Sequence, residues 1–160
     1  MTQKYGFLLL PNFTMLAFAS AVEPLRMANQ LSGENLYQFP LYSLDGTDSY
    51  ASNGFRIGPT NILSGAEQLD ALFVCAGADI HSINSDLLYD SLKPFVKRDI
   101  AIGGICTAGY LLAQTGLLDG YRCTLHWENI RDMHDEFPHL VVSSGLYEID
   151  RNRFTCSGGT

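Results

Sequence analysis

The stretch Ala101-Ile-Gly-Gly-Ile-Cys106-Thr-Ala-Gly-Tyr110 sets one cysteine between an apolar run with glycines and a helix-forming run. A strand that turns abruptly into a helix at a nucleophile is a nucleophile elbow, here with sulfur where hydrolases carry a hydroxyl. The flanking glycines suit a turn whose backbone is strained and whose neighbours come close. The helix dipole at that position favours a thiolate. Such a sulfur needs a base or cation. His126 closes the apolar run Tyr121 to Leu125, and Glu128 follows two residues later. Gly77-Ala78-Asp79 follows another apolar run, and its backbone N–H groups could form an oxyanion or carboxylate nest. Each of these has a plain alternative: His126 as a satisfied histidine, Glu128 as a solvated helix-start residue, Gly77-Ala78 as an ordinary loop. Cys75, Cys123 and Cys156 sit in strand patterns and fit buried structural thiols.

Elements of two kinds must position these groups. Tyr5 to Leu10 is a continuous apolar run stopped by Pro11-Asn12, the pattern of a strand buried on both faces. A helix is expected from near Ser20, with Pro24 in its first turn, to a glycine cap at Gly33. Leu41 to Leu44 and Ala71 to Cys75 read as strands, and Ser52 to Pro59 as a small hairpin turning at Asn53-Gly54. Asp86 to Arg98 has helical period but contains Pro94, which predicts a kink or split. A short central strand, Ile100 to Ile102, precedes Gly103-Gly104, and a helix runs from Thr107 to Thr115. Tyr121 to Leu125 reads as a strand and Trp127 to Glu136 as a polar helix. Leu140 to Val142 is a short strand, and Tyr147 to Asp150 and Arg153 to Cys156 form a hairpin. Strands alternating with helices predict an α/β fold: flavodoxin-like, doubly wound, a mostly parallel sheet with helices on both faces and a small β-hairpin extension. In such sheets sites lie at the carboxyl edge, where Cys106 and His126 could meet.

Composition narrows the function. The chain has 160 residues, 46% hydrophobic and 17% charged, enough for one domain with a core. The formal net charge of −7 makes this segment a poor partner for phosphate backbones. Its apolar runs are too short to span a bilayer, and no secretory leader is evident, so a cytoplasmic, reducing location and no membrane partner are expected. The cysteines lack C-x-x-C spacing and the histidines (His81, His126, His134, His139) lack helical zinc spacing, so no metal or other cofactor is expected. The tail Ser157-Gly-Gly-Thr160 reads as the entry to a further helix, which predicts a sheet lacking its closing C-terminal helix.

Several ordered stretches carry a family resemblance: Tyr5-Gly-Phe-Leu-Leu-Leu-Pro-Asn-Phe13, Ala19 to Ser32, Leu44-Asp-Gly46, Ala51-Ser-Asn-Gly54, Gly104-Ile-Cys-Thr-Ala-Gly109, Leu111 to Gly120, Thr124-Leu-His-Trp127 and Ser157-Gly-Gly-Thr160. Together they resemble the PfpI-type, class I glutamine amidotransferase-like domain, and more closely the N-terminal domain of AraC-family transcriptional regulators. The stretch Ala19 to Ser32 is most similar to regulators of quaternary-amine (betaine or carnitine) or arginine catabolism. The resemblance implies a ligand-sensing and dimerising domain over residues 1–160, with a helix-turn-helix DNA-binding domain beyond it and absent from this chain. It also implies that catalytically active relatives place an acidic side chain against the elbow cysteine, at the position held here by Ala17.

That departure points to a binding pocket on a catalytic scaffold. Phe13, Ala17, Gly77, Ala78, Cys106, Thr107, Tyr110, His126 and Trp127 are its expected lining. Trp127, with Phe13, Phe18 and Tyr110 on the same edge, is a candidate to hold a trimethylammonium group by cation–π attraction. The alternative is a cysteine-dependent hydrolase, amidase or glyoxalase-like enzyme. There Cys106 attacks a carbonyl, His126 moves the proton, and N–H groups near Gly77 and Thr107 hold the oxyanion. A third reading is a dimerisation module with a vestigial pocket.

Overall fold

Successive residues of the first strand point into two different cores. Leu8 and Leu10 belong to one apolar cluster, Phe7 and Leu9 to the other. A strand so buried must be central, with helices on both sides. The computed structural model describes residues 1–58, 60–65, 67–130 and 135–158. In chain order the elements are β1 (Gln3–Leu9), α1 (Met15–Ser32), β2 (Tyr37–Gln38), β3 (Leu41–Ser43), β4 (Ser49–Tyr50), β5 (Arg56–Ile57), β6 (Asn61–Ile62) and β7 (Ala71–Cys75). They continue with α2 (Ser85–Lys97), β8 (Ala101–Ile105), α3 (Ala108–Gln114), β9 (Arg122–Cys123), β10 (Val141–Val142), β11 (Tyr147–Asp150) and β12 (Arg153–Cys156). Short 3-10 turns lie at Ile80–Ser82 and Trp127–Asn129.

The main sheet runs β11-β12-β8-β7-β1-β3-β6, with β2 also on β1. All its pairings are parallel except the β11–β12 hairpin. This is the flavodoxin-like, doubly wound arrangement. Helix α1 supplies Ala17 and Phe18 to one face, while α2 (Leu88, Leu92, Phe95) and α3 (Leu111, Leu112) cover the other. The small hairpin is β4 paired antiparallel with β5. Its strands flank the Asn53-Gly54 turn more widely than expected, because Ser52 belongs to the turn. Pro59, the expected end of the hairpin, lies outside the described residues.

Five elements differ from the sequence expectation. Helix α1 begins at Met15 rather than near Ser20, so Pro24 lies in its interior. Ser20 and Pro24 are both exposed, so the carbonyl that proline leaves without a donor faces water. Helix α2 likewise runs as one element through Pro94, started by Asn84, whose side chain accepts from Leu87 N–H at 2.9 Å. Strand β8 continues through Gly103 and Gly104 to Ile105. The reason is packing: a Cβ on Gly103 would lie within the Phe73 ring, at 2.6 Å from Cε1, so glycine lets that ring cross the strand. Finally, β9 is outside the main sheet; it pairs in parallel with β10 alone. The expected polar helix from Trp127 is a 3-10 turn at its start, and its 131–134 portion, with His134, lies outside the described residues. So do Gly159 and Thr160 of the expected helix entry.

Candidate functional site

Strand β8 ends at Ile105 and α3 begins at Ala108, so Cys106 must reverse the chain within two residues. It does so with φ of +61°, in the left-handed region that non-glycine residues rarely occupy. The elbow inferred from sequence is therefore present as a backbone conformation. Its strain, on the order of 1–3 kcal/mol for such a residue, is held by its surroundings. The next residue, Thr107, donates its hydroxyl hydrogen to the Gly77 carbonyl at 2.8 Å, tying the elbow to the loop after β7.

That loop is locked in turn to the segment after β1. Thr14 N–H donates to the Ala76 carbonyl at 3.1 Å and Ala78 N–H to the Asn12 carbonyl at 3.0 Å. A Cβ at Gly77 would collide with Asn12 O and stand 2.6 Å from Thr14 N and 2.7 Å from Thr14 Oγ1. Only glycine permits this approach, which brings the Thr14 hydroxyl to 3.5 Å from the Cys106 sulfur. With its N–H committed to Asn12, Ala78 is no free oxyanion donor.

A cleft of about 250 Å³ opens beside the sulfur, lined by Thr14, Ser52, Gly77, Ala78, Cys106, Thr107, His126 and Glu128. The sequence-predicted pair Cys106 and His126 thus meets at one cleft. His126 Nδ1 lies 3.4 Å from Glu128 N, which donates to it, and 3.5 Å from the Glu128 carboxylate. The Cδ2–Nε2 edge lies against Gly158. Among the described residues no hydrogen bond joins the imidazole to the Cys106 sulfur, whose polar neighbour is Thr14. No group of three metal-binding side chains occurs among the described residues.

The remaining predicted lining residues divide. Ala17 is buried in the apolar cluster that contains Cys106 and is not among the residues lining the cleft. Phe13 is fully buried in the same cluster, edge-on to Phe18, and is not among the residues lining the cleft. Tyr110 points to the opposite core; its hydroxyl donates to Glu136 at 2.7 Å and its ring meets His81 and Phe137. That placement corrects the expectation for Tyr110: residues on successive α3 positions face different sides, and position 110 faces away from the elbow. Trp127 is 71% exposed and lines a neighbouring hollow of about 330 Å³ with Ile130, Ser143, Leu146 and Gly158. His126 is the wall between the two. The three aromatics therefore do not form one cage. Thr14 is absent from the expected lining because a helix start near Ser20 leaves the β1–α1 segment without a predicted shape, and Ser52 because its place there depends on the hairpin loop docking on Phe13, whose carbonyl accepts the Ser52 N–H at 2.9 Å.

The other thiols behave as buried groups. Burial pushes Cys75 far up and Cys123 up to about 11, with Glu148 adding to the latter. No helix among the described residues is long and apolar enough to cross a membrane.

Known proteins bear on this geometry. The chain is 46% identical over 158 residues to the HTH-type transcriptional regulator GbdR of Pseudomonas aeruginosa, covering 99% of this chain and 43% of that protein. It is 41% identical over 160 residues to the HTH-type transcriptional regulator CdhR of the same species, covering all of this chain and 47% of that one. The chain thus spans less than half the length of these regulators. A crystal structure of an AraC family transcriptional regulator from Pseudomonas putida superposes with a TM-score of 0.87 at 26% identity, over 98% of this chain and 84% of the other. Residues 19–157, from within α1 through the elbow to the end of β12, match the DJ-1/PfpI family, and the chain belongs to that family.

Proposed function

We propose that this domain is the ligand-sensing part of an AraC-type transcriptional regulator. A small metabolite occupies the cleft beside Cys106, and its binding changes the activity of a DNA-binding domain carried by the whole protein. One observation carries the reading. The elbow and its cleft are kept, yet the hydrogen-bonding neighbour of the sulfur is the Thr14 hydroxyl, and among the described residues no carboxylate or imidazole is hydrogen-bonded to it. The similarity to transcriptional regulators over essentially the full chain supports it. So does the charge of −7, which leaves DNA contact to another part of the protein.

The lining selects for a polar ligand. Thr14, Ser52, His126 and Glu128 supply its polar side chains, while the Thr107 hydroxyl is committed to the Gly77 carbonyl. A metabolite with an amino or guanidino group places its cation toward Glu128 and its acceptors toward the hydroxyls. A quaternary amine uses the same carboxylate without an aromatic contact from Trp127, which lines the neighbouring hollow. Regulators of this kind act as symmetric dimers, and a homodimer with its helix-turn-helix partner domain is part of the proposal.

Calorimetric titration with betaine, carnitine, choline and arginine tests the reading. Heat from one of them that disappears in Glu128→Gln and Thr14→Val supports it. Silence from all four at millimolar concentration removes the ligand assignment. The enzyme alternative rests on Cys106, His126 and Glu128 sharing one cleft. It requires turnover of a test aldehyde or amide that Cys106→Ala abolishes, and the expected outcome is no turnover in either protein.

A further inference from the structure

Three of the four cysteines converge at the elbow. Cys75 and Cys106 lie in one apolar cluster and Cys156 packs against it. Strand β12 pairs with β8 in parallel, Thr155 opposite Gly104. One residue further, Cys156 stands opposite Ile105 and one step short of Cys106. With strands about 4.8 Å apart and a rise of about 3.3 Å per residue, the Cα atoms of Cys106 and Cys156 lie about 6 Å apart. That falls within the roughly 4.4–6.8 Å that a disulfide spans.

The Cys156 side chain is directed at the elbow, while the Cys106 sulfur rests on the Thr14 side of it. The Cys156 sulfur receives the backbone N–H of Cys106 and lies 3.9 Å from the Gly104 carbonyl oxygen. It therefore sits at the base of the elbow. Cys75 occupies the mirror position on β7, opposite Ile105, but is fully buried beneath the sheet end. Cys106 borders the cleft and Cys156 borders an apolar groove with Ile105 and Phe154, so reagents reach the pair from opposite sides.

We propose that Cys106 and Cys156 are an oxidisable dithiol pair, in which a hydroperoxide entering the cleft oxidises Cys106 and Cys156 closes a disulfide with it. In the first step the Cys106 sulfur attacks the terminal peroxide oxygen. The O–O bond breaks, Cys106 becomes a sulfenic acid, and the other oxygen leaves as water or alcohol. In the second the Cys156 sulfur attacks the Cys106 sulfur. The S–O bond breaks, an S–S bond forms and water departs with the Cys156 proton. The two thiols together lose two electrons and the peroxide gains them. Burial holds the Cys156 thiol above its ordinary range. The finished bridge draws the Cys106 sulfur from Thr14 toward β12 and changes the floor of the cleft.

The test is mass spectrometry of the protein treated with a small excess of hydrogen peroxide. The expected product has lost the mass of two hydrogens, recovers it with dithiothreitol, and yields a peptide pair joined through Cys106 and Cys156. Cys156→Ser should instead accumulate one oxygen on Cys106, trapped by dimedone, while Cys75→Ser should behave like the parent. Near-ultraviolet circular dichroism shows that each variant is folded. A bridge mapped to Cys75 overturns the proposal. So does a parent protein that passes directly to two added oxygens on Cys106 with no disulfide, a result that needs no variant to read.

Discussion

Gly77→Ala should loosen the segment that delivers Thr14 to the elbow. The added methyl group would meet Asn12 O, Thr14 N and Thr14 Oγ1, all closer than real Cβ contacts allow. Two of the three are backbone atoms, so no side-chain rotation relieves the clash. Overpacking of this kind costs about 1–3 kcal/mol. Separating the two loops also stretches the Thr14 N–H to Ala76 O and Ala78 N–H to Asn12 O bonds, each contributing about 1 kcal/mol. The expected destabilisation is about 2–4 kcal/mol, or about 1–2 M in urea midpoint at a slope of about 2 kcal/mol per M. Urea unfolding followed by circular dichroism measures it. Displacing Thr14 also uncovers the sulfur, so native-state alkylation of Cys106 by iodoacetamide should speed up below the transition. A midpoint within about 0.2 M of the parent, with unchanged alkylation, would refute the account of how the cleft is assembled.

Gly33→Ala isolates a conformational cost, because Gly33 caps α1 at φ +70° with no atom near its missing Cβ. The loss should be about 1 kcal/mol in the same unfolding assay, and none would contradict the left-handed cap. Tyr110→Phe removes the hydroxyl bonded to Glu136 and should cost about 1–3 kcal/mol without altering ligand heat, since Tyr110 faces away from the cleft. Altered ligand binding would place the ring at the site after all. The Ser143 hydroxyl and then Arg122 hold the Glu148 carboxyl below its ordinary range. A lowered folded-state pKa gives stability that is complete above the unfolded value and lost as pH falls through the folded one. Glu148→Gln should therefore flatten the acid limb of stability against pH, and an unchanged limb would remove that linkage.

The sequence revealed strands better than their partners. Ala71 to Cys75 and the hairpin strands Tyr147 to Asp150 and Arg153 to Cys156 are found with the bounds read from apolar runs and turn residues. The elbow was legible because strand, glycines, cysteine and helix coincide in a few residues. Prolines misled: local propensity forbids Pro24 and Pro94 inside helices, but solvent exposure of the freed carbonyl and tertiary packing make the cost bearable. Gly103 and Gly104 read as a stop, since nothing in one strand's sequence announces that a ring from the next strand will need the space. The cleft was half legible. Cys106 follows from the edge rule for parallel sheets; His126 reaches the cleft although its strand, β9, lies outside the main sheet, whereas Thr14 and Ser52 depend on how two loops dock, and the facing of Tyr110 depends on helix phase.

The fit of Phe73 over Gly103 has a wider consequence. The two positions share a single volume, and Phe73 also stacks on Phe7 at 5.5 Å and meets Phe154 at 6.0 Å. Neither site can drift independently: a larger residue at 103 is tolerated once 73 has shrunk, and a shrunken 73 alone leaves a void. Randomising both codons together should recover paired exchanges, such as alanine at 103 with leucine at 73, that one-at-a-time scanning scores as lethal. Substitution tables built from single changes will understate how much variation this sheet can absorb.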